Sequence, residues 1–179
     1  MKKRDLSRLA SKADDGGIRA VVETPLGSFN KYDYITDLDL FEVRETLPRG
    51  SEFPFDFGFF PSTLGQDGDP VDALILSDRG LDLGTVVSTR IIGVIEFSDD
   101  KDGEIIRNDR IVAVPTISVI YKKIETLEDL PPALIEQIEA SFEQDAYFKG
   151  KKRKFLGCGE AKKAKALLAA GKALYKKKG

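Results

Sequence analysis

Histidine and tryptophan are absent from the 179 residues, and cysteine and methionine occur once each. Without histidine there can be no Ser-His-Asp triad, no Cys-His pair and no histidine-ligated zinc or iron. The lone Cys158 closes no internal disulfide and has no second thiol with which to build a soft-metal site, so a structural thiol is expected there. Any metal must be held by oxygen, which favours magnesium, calcium or manganese.

Long apolar runs are missing too. None approaches the roughly 20 residues that span a bilayer. In the N-terminal MKKRDLSRLASKADDGG, charges interrupt every apolar patch, so no secretory h-region follows. A cytoplasmic protein with no membrane partner is expected. A net charge of −2 lacks the strongly basic footprint of a nucleic-acid binder, and no nucleic-acid partner is expected.

What is present is an ordinary globular composition, 41% hydrophobic and 32% charged. The length suits one domain over residues 1–179, with residues 1–17 as an N-terminal extension. From Ile18 to Pro115 short runs rich in valine, isoleucine and phenylalanine alternate with turn pairs such as Leu26-Gly27 and Asp67-Gly68. The expected strands are Ile18 to Thr24, Asn30 to Ile35, Phe41 to Thr46, Val71 to Leu76, Val86 to Phe97 and Arg110 to Ile117.

After Pro131-Pro132 the period becomes helical, with Leu134, Ile135, Ile138 and Phe142 on one face. A second helix is expected over residues 160–178, with Ala164, Leu167, Leu168, Leu174 and Tyr175 as its apolar stripe. The fold class is α+β: a small closed or partly closed, OB-like β-barrel with two C-terminal α-helices packed on it.

The acids Asp67, Asp69 and Asp72 crowd one turn and the mouth of the strand that follows. Asp-Gly and Asp-Pro are common turn pairs, and a solvated hairpin tip could carry them without function. Asp72, however, sits beyond the turn, where such a tip needs no charge. A calcium loop of EF-hand type fails, because Asp72 occupies its glycine position and a strand rather than a helix follows.

The cluster also has companions near strand ends: Glu23, Lys31 with Asp33, Arg44, and Asp99. Oxygen-held metals together with Lys and Arg are the ingredients of phosphoryl transfer, where cations neutralise phosphate oxygens and a carboxylate takes a proton from water.

With these residues in view, the sequence resembles the soluble inorganic pyrophosphatases of family I. The resemblance is carried by Asp67-Gly-Asp-Pro-Val-Asp-Ala73, Val22-Glu-Thr-Pro25, Asn30-Lys-Tyr-Asp33, Leu40-Phe-Glu-Val-Arg44, Phe53-Pro-Phe-Asp-Phe-Gly58 and Ile111-Val-Ala-Val-Pro115. It implies hydrolysis of pyrophosphate to two phosphates, dependence on magnesium with manganese as a possible substitute, and a homo-oligomer, often a hexamer among bacterial relatives. By position, Asp67, Asp72 and Asp99 match metal ligands and Glu23 an acid that meets a further metal. Asp69 matches the carboxylate that activates water, Lys31 and Arg44 match phosphate binders, and Asp33 matches an acid beside them.

Three departures stand out. Where the family carries Asp-x-Lys, this chain has Asn108-Asp109-Arg110. Strict alignment puts Asn108 at a ligand position, a β-bulge would turn Asp109 there instead, and Arg110 keeps the positive charge in a different shape. Two tyrosines are replaced by Phe53 and Phe57. The family's phosphate-holding Tyr-Lys or Tyr-Asn pair reads Asp145-Ala146, with Tyr147, Lys149 and Lys151 as potential substitutes.

The run Lys149 to Lys154 reads first as a solvated face, and the row Phe53 to Phe60 reads as core. Three functions therefore compete: pyrophosphate hydrolysis, with a pocket opened toward nucleotides or polyphosphate as its variant; an inactive metal-binding homologue; and an oligonucleotide-binding barrel using the phenylalanines.

Overall fold

The computed structural model describes residues 5–101, 103–150 and 152–178. In chain order the elements are β1 (Ile18–Thr24), β2 (Asn30–Ile35), β3 (Leu40–Thr46), β4 (Asp56–Phe59), β5 (Asp72–Ile75), β6 (Val86–Lys101), β7 (Glu104–Arg107), β8 (Arg110–Pro115), α1 (Pro132–Phe148), β9 (Lys152–Glu160) and α2 (Ala161–Lys178).

β1 pairs with β4, β4 with β5, β5 with β8, β8 with β6, and β6 returns to β1. That path is a five-stranded ring, parallel only between β5 and β8, and ring closure hides strand edges that would otherwise invite pairing with other chains. The 16-residue β6 outruns the ring. Its first part serves β1 and β8, and its far end pairs with β9 and β7. The hairpin of β2 and β3 forms a separate two-stranded sheet. The OB-like barrel with two C-terminal helices is the fold observed.

Side chains two apart on a strand share a face, and β5 and β8 are buried on both. Leu74, Leu76, Val112 and Val114 meet Phe55, Phe57 and Phe97 beneath Ile138 and Phe142 of α1. The alternate set, Ala73, Ile75, Ile111 and Ala113, packs with Ala164 and Leu168 of α2. Near-continuous apolar runs are what such doubly covered strands require. The phenylalanine row is core, as expected: Phe55, Phe57, Phe59 and Phe60 are all buried.

Several expectations need correction. β4, β7 and β9 were not anticipated. β4 follows a proline and is short, whereas β9 hides its period behind lysines, with Arg153, Phe155 and Gly157 on its less exposed side. β8 ends at Pro115 rather than Ile117, and Ile117 and Val119 are exposed in the loop beyond. Leu174 is exposed, and the buried line on α2 runs Ala164, Leu168, Gly171.

Gly171 is there because a Cβ would stand 2.6 Å from Val71 Cγ2, so its helix-weakening cost is offset by close approach of α2 to the loop before β5. Cys158, expected as a structural thiol, lies exposed on β9. Residues 5–17 of the N-terminal extension pack on their own chain: Ser62 N–H donates to Ser7 O at 2.7 Å, and Asp15 accepts from Ser88 at 2.6 Å and Thr116 at 2.8 Å. Residues 1–4 of that extension lie outside the described residues.

Candidate metal and phosphate site

The loop between β4 and β5 is closed by its own polar groups. Gly65 N–H donates to Asp69 O at 2.6 Å, Asp69 N–H donates to Asp67 Oδ1 at 3.2 Å, and buried Thr63 accepts from Val71 N–H at 2.9 Å. Gly68 adopts φ 94°, which only glycine holds without strain. This turn sets Asp67 and Asp69 at the rim of a cavity, with Asp72 at the first position of β5.

That cavity, about 710 Å³, gathers most of the residues singled out in the sequence. Glu23 enters from β1, where the pairing with β4 slips between Val22 and Thr24, a bulge that re-aims the extra side chain. Lys31, Asp33 and Arg44 come from the β2–β3 hairpin, and Asp99 from the far end of β6. Asn108 and Arg110 reach in at the start of β8. Asp109 does not line it: its carboxylate accepts from Phe97 N–H at 3.2 Å and pairs with Arg107 at 2.9 Å.

The opposite wall holds two cations, Lys149, which the sequence offers as a substitute for the phosphate-holding pair, and Arg153, which it hides in a run that reads as a solvated face. Arg153 on β9 and Lys149 after α1 both line the cavity. The Arg153 side chain is only 7% exposed and binds Asp99 through Nε at 2.6 Å and Nη2 at 2.8 Å. Lys149 pairs with Asp145 at 2.6 Å and Glu45 at 2.9 Å. Alternation along β9 was the available signal for Arg153, and the lysines on either side masked it. Tyr147 is exposed, Ala146 is buried, and Lys151 lies outside the described residues.

Charge on the acid wall is poorly compensated. Burial pushes the Glu23 carboxyl up to about 7, aided by Asp33 and Asp72 and opposed by the Tyr34 N–H that donates to it at 2.6 Å. Burial, then Asp67 and Asp33, raises Asp69. Burial also raises Asp72, although Arg110 Nη1 stands 2.9 Å away. At Asp99 burial pushes upward as well, but the hydrogen bonds from Arg153 and Asn108 outweigh it and hold the carboxyl below its usual range.

The Asp67–Asp69–Asp72 wall with Glu23 therefore fits a hard divalent cation in donor type and in surplus negative charge. Among the described residues no three acidic groups stand as a finished metal cluster, so the fit is one of chemistry rather than of completed coordination. The Asp99 corner does not share it, since both of its oxygens already accept from Arg153.

The raised Glu23 has a consequence for stability. The folded protein holds a proton that the unfolded chain has released, so stability falls as pH climbs from the ordinary carboxylate range through about 7. The gap between about 7 and 4.5 amounts to on the order of 3 kcal/mol before discounting for solvent. Glu23→Gln is expected to raise the melting temperature of chelator-treated protein by about 5 °C at pH 8 and by nothing at pH 4. Calorimetry at the two pH values checks it, and an equal gain at both would refute the electrostatic cause.

Comparison with known proteins gives the family of the chain. A family model described as Inorganic pyrophosphatase matches residues 20–176. The inorganic pyrophosphatase of Nostoc is 33% identical over 172 residues, covering 96% of this chain and 99% of that protein. The solved inorganic pyrophosphatase of Thermus thermophilus superposes with a TM-score of 0.86 at 31% identity, covering 97% of this chain and 99% of that one. The one from Neisseria gonorrhoeae gives 0.85 at 34%, covering 96% and 99%. The ring, the acid wall and these likenesses together make the chain a member of the inorganic pyrophosphatases, a metal-dependent family.

Proposed function

We propose that this chain hydrolyses inorganic pyrophosphate to two phosphates, with magnesium as its cation and manganese as a substitute. The observation that carries the reading is a single cavity with desolvated acids on one wall and Lys31, Arg44, Arg110, Lys149 and Arg153 around the rest. Pyrophosphate is small, highly charged and without an apolar handle, so cations rather than a greasy pocket must bind it.

Asp67, Asp72 and Glu23 would hold the cation. When bound, the cation neutralises phosphate charge and makes a neighbouring water more acidic. Asp69 takes the proton of the attacking water: no hydrogen bond or ion pair engages its carboxylate among the described residues, and its raised proton affinity suits a base. Lys31 and Arg44 grip phosphate from the hairpin, where Asp33 stands 3.4 Å from Arg44 Nε and orients it. Arg110, buried against Phe57 and Phe142, keeps a charge fixed at the floor. We place the protein in the cytoplasm as one domain over residues 1–179, assembled as a homohexamer.

Phosphate release from pyrophosphate tests the reading. Purified protein with magnesium is expected to release phosphate, and chelation to abolish it. Release from ATP or tripolyphosphate but not from pyrophosphate would replace the reading with a broader phosphoanhydride hydrolase, and release from none would leave a metal-binding homologue.

A further inference from the structure

The corner formed by Asp99, Asn108 and Arg153 is built unlike the acid wall facing it. Arg153 spans both oxygens of Asp99 with Nε and Nη2, a bidentate geometry that lysine cannot reproduce. Asn108 adds a third donor, its Nδ2 lying 2.7 Å from Asp99 Oδ2. On its other side the Asn108 Oδ1 accepts from Arg110 Nη1. A carboxylate on one side and a guanidinium on the other fix which way this amide points, and its oxygen faces a cationic donor rather than a vacant position.

The charges close without a metal: Asp99 contributes −1, Asn108 contributes none and Arg153, which is not deprotonated in proteins, contributes +1. The guanidinium is also held in place, 5.8 Å over the rings of Phe97 and Phe142. Its remaining Nη1 is 3.8 Å from Asp145, too far for a hydrogen bond.

We infer that Arg153 stands in for a divalent cation at the Asp99–Asn108 corner, its fork neutralising Asp99 while Nη1 presents positive charge to a phosphate oxygen of the substrate. The inference rests on reading the cavity as a pyrophosphate site. It departs from the expectation that Asp99 and Asn108 ligate metal, and it explains how this chain manages with Asp145-Ala146 where a phosphate-holding pair was expected. Positive charge reaches that wall from β9 instead of from the last turn of α1.

Manganese titrations without substrate, followed by the EPR signal of free Mn2+, test the metal half on wild-type protein and on Asp99→Asn, Asp72→Asn and Arg153→Gln/Asn108→Asp. Asp99→Asn is expected to bind as many ions as wild type, and Arg153→Gln/Asn108→Asp one more. Loss of an ion in Asp99→Asn overturns the inference, and Asp99→Asn alone decides should circular dichroism show the double variant unfolded. Asp72→Asn, expected to lose an ion, reports on the proposed function separately, as does phosphate release by the wild type. For the phosphate half, Arg153→Gln is expected to raise KM for magnesium pyrophosphate about tenfold with kcat little changed, the worth of one charge-assisted hydrogen bond. An unchanged KM removes Nη1 from the substrate.

Discussion

Asp69→Asn is expected to cut phosphate release by ~10²–10⁴-fold, the usual worth of a positioned general base, while leaving the melting temperature unchanged or slightly higher. Asparagine is isosteric and keeps the turn, because the hydrogen bonds that close it use the Asp69 backbone and the Asp67 carboxylate. Only a negative charge is lost, and burial, Asp67 and Asp33 all disfavour that charge in the folded protein. The loss should fall on kcat, since a group acting on the water rather than on phosphate contributes little to ground-state binding. Steady-state kinetics with magnesium pyrophosphate checks the split, and manganese titration of the same variant guards the interpretation. If Asp69→Asn bound fewer ions than wild type, Asp69 would be a ligand and not the base.

Much of the fold was legible because its strands obey simple periods. β1, β2 and β6 begin where the valine-rich and isoleucine-rich runs and turn pairs place them, and the helical spacing after Pro131 marks the buried face of α1 through Ile138 and Phe142. The acid wall was legible for a related reason: carboxylates beside an apolar strand are costly unless something compensates them, and the sequence displays that cost openly at Asp72.

What stayed hidden was the opposite wall. In Lys152-Arg-Lys-Phe-Leu two of the three residues facing outward are lysines, so a strand with one buried guanidinium looks like a solvated charge run. Only the pairing of β9 with the far end of β6, which sets Asp99 opposite Arg153, shows that this arginine points inward. Asn108 and Asp109 were undecidable from sequence, because a one-residue slip exchanges the two faces of a strand. In the structure Asp109 is held by Arg107 and by the Phe97 N–H, while Asn108 lines the cavity.

A repair designed from the sequence alone, Ala146→Lys, is expected to fail. It would restore a cation at the position where a phosphate-holding residue was expected. Ala146 is 2% exposed on a helix whose buried face continues from Phe142, with β9 against it. A lysine there must either bury its ammonium without a partner or push α1 off β9, and removing a charge from water uncompensated costs several kcal/mol. The variant is expected to lose about 3 kcal/mol or more and about 10 °C in melting temperature, with phosphate release falling rather than rising. Asp145→Tyr is the contrasting change, because position 145 does face the cavity. There the substitution frees Lys149 from its 2.6 Å partner and removes an acid from the phosphate wall, so KM for magnesium pyrophosphate should fall. Thermal melts and steady-state kinetics on the two single variants separate the positions. A folded Ala146→Lys with improved KM would mean that the last turn of α1 can rotate, and that its present face is a choice between two packings rather than a consequence of the core.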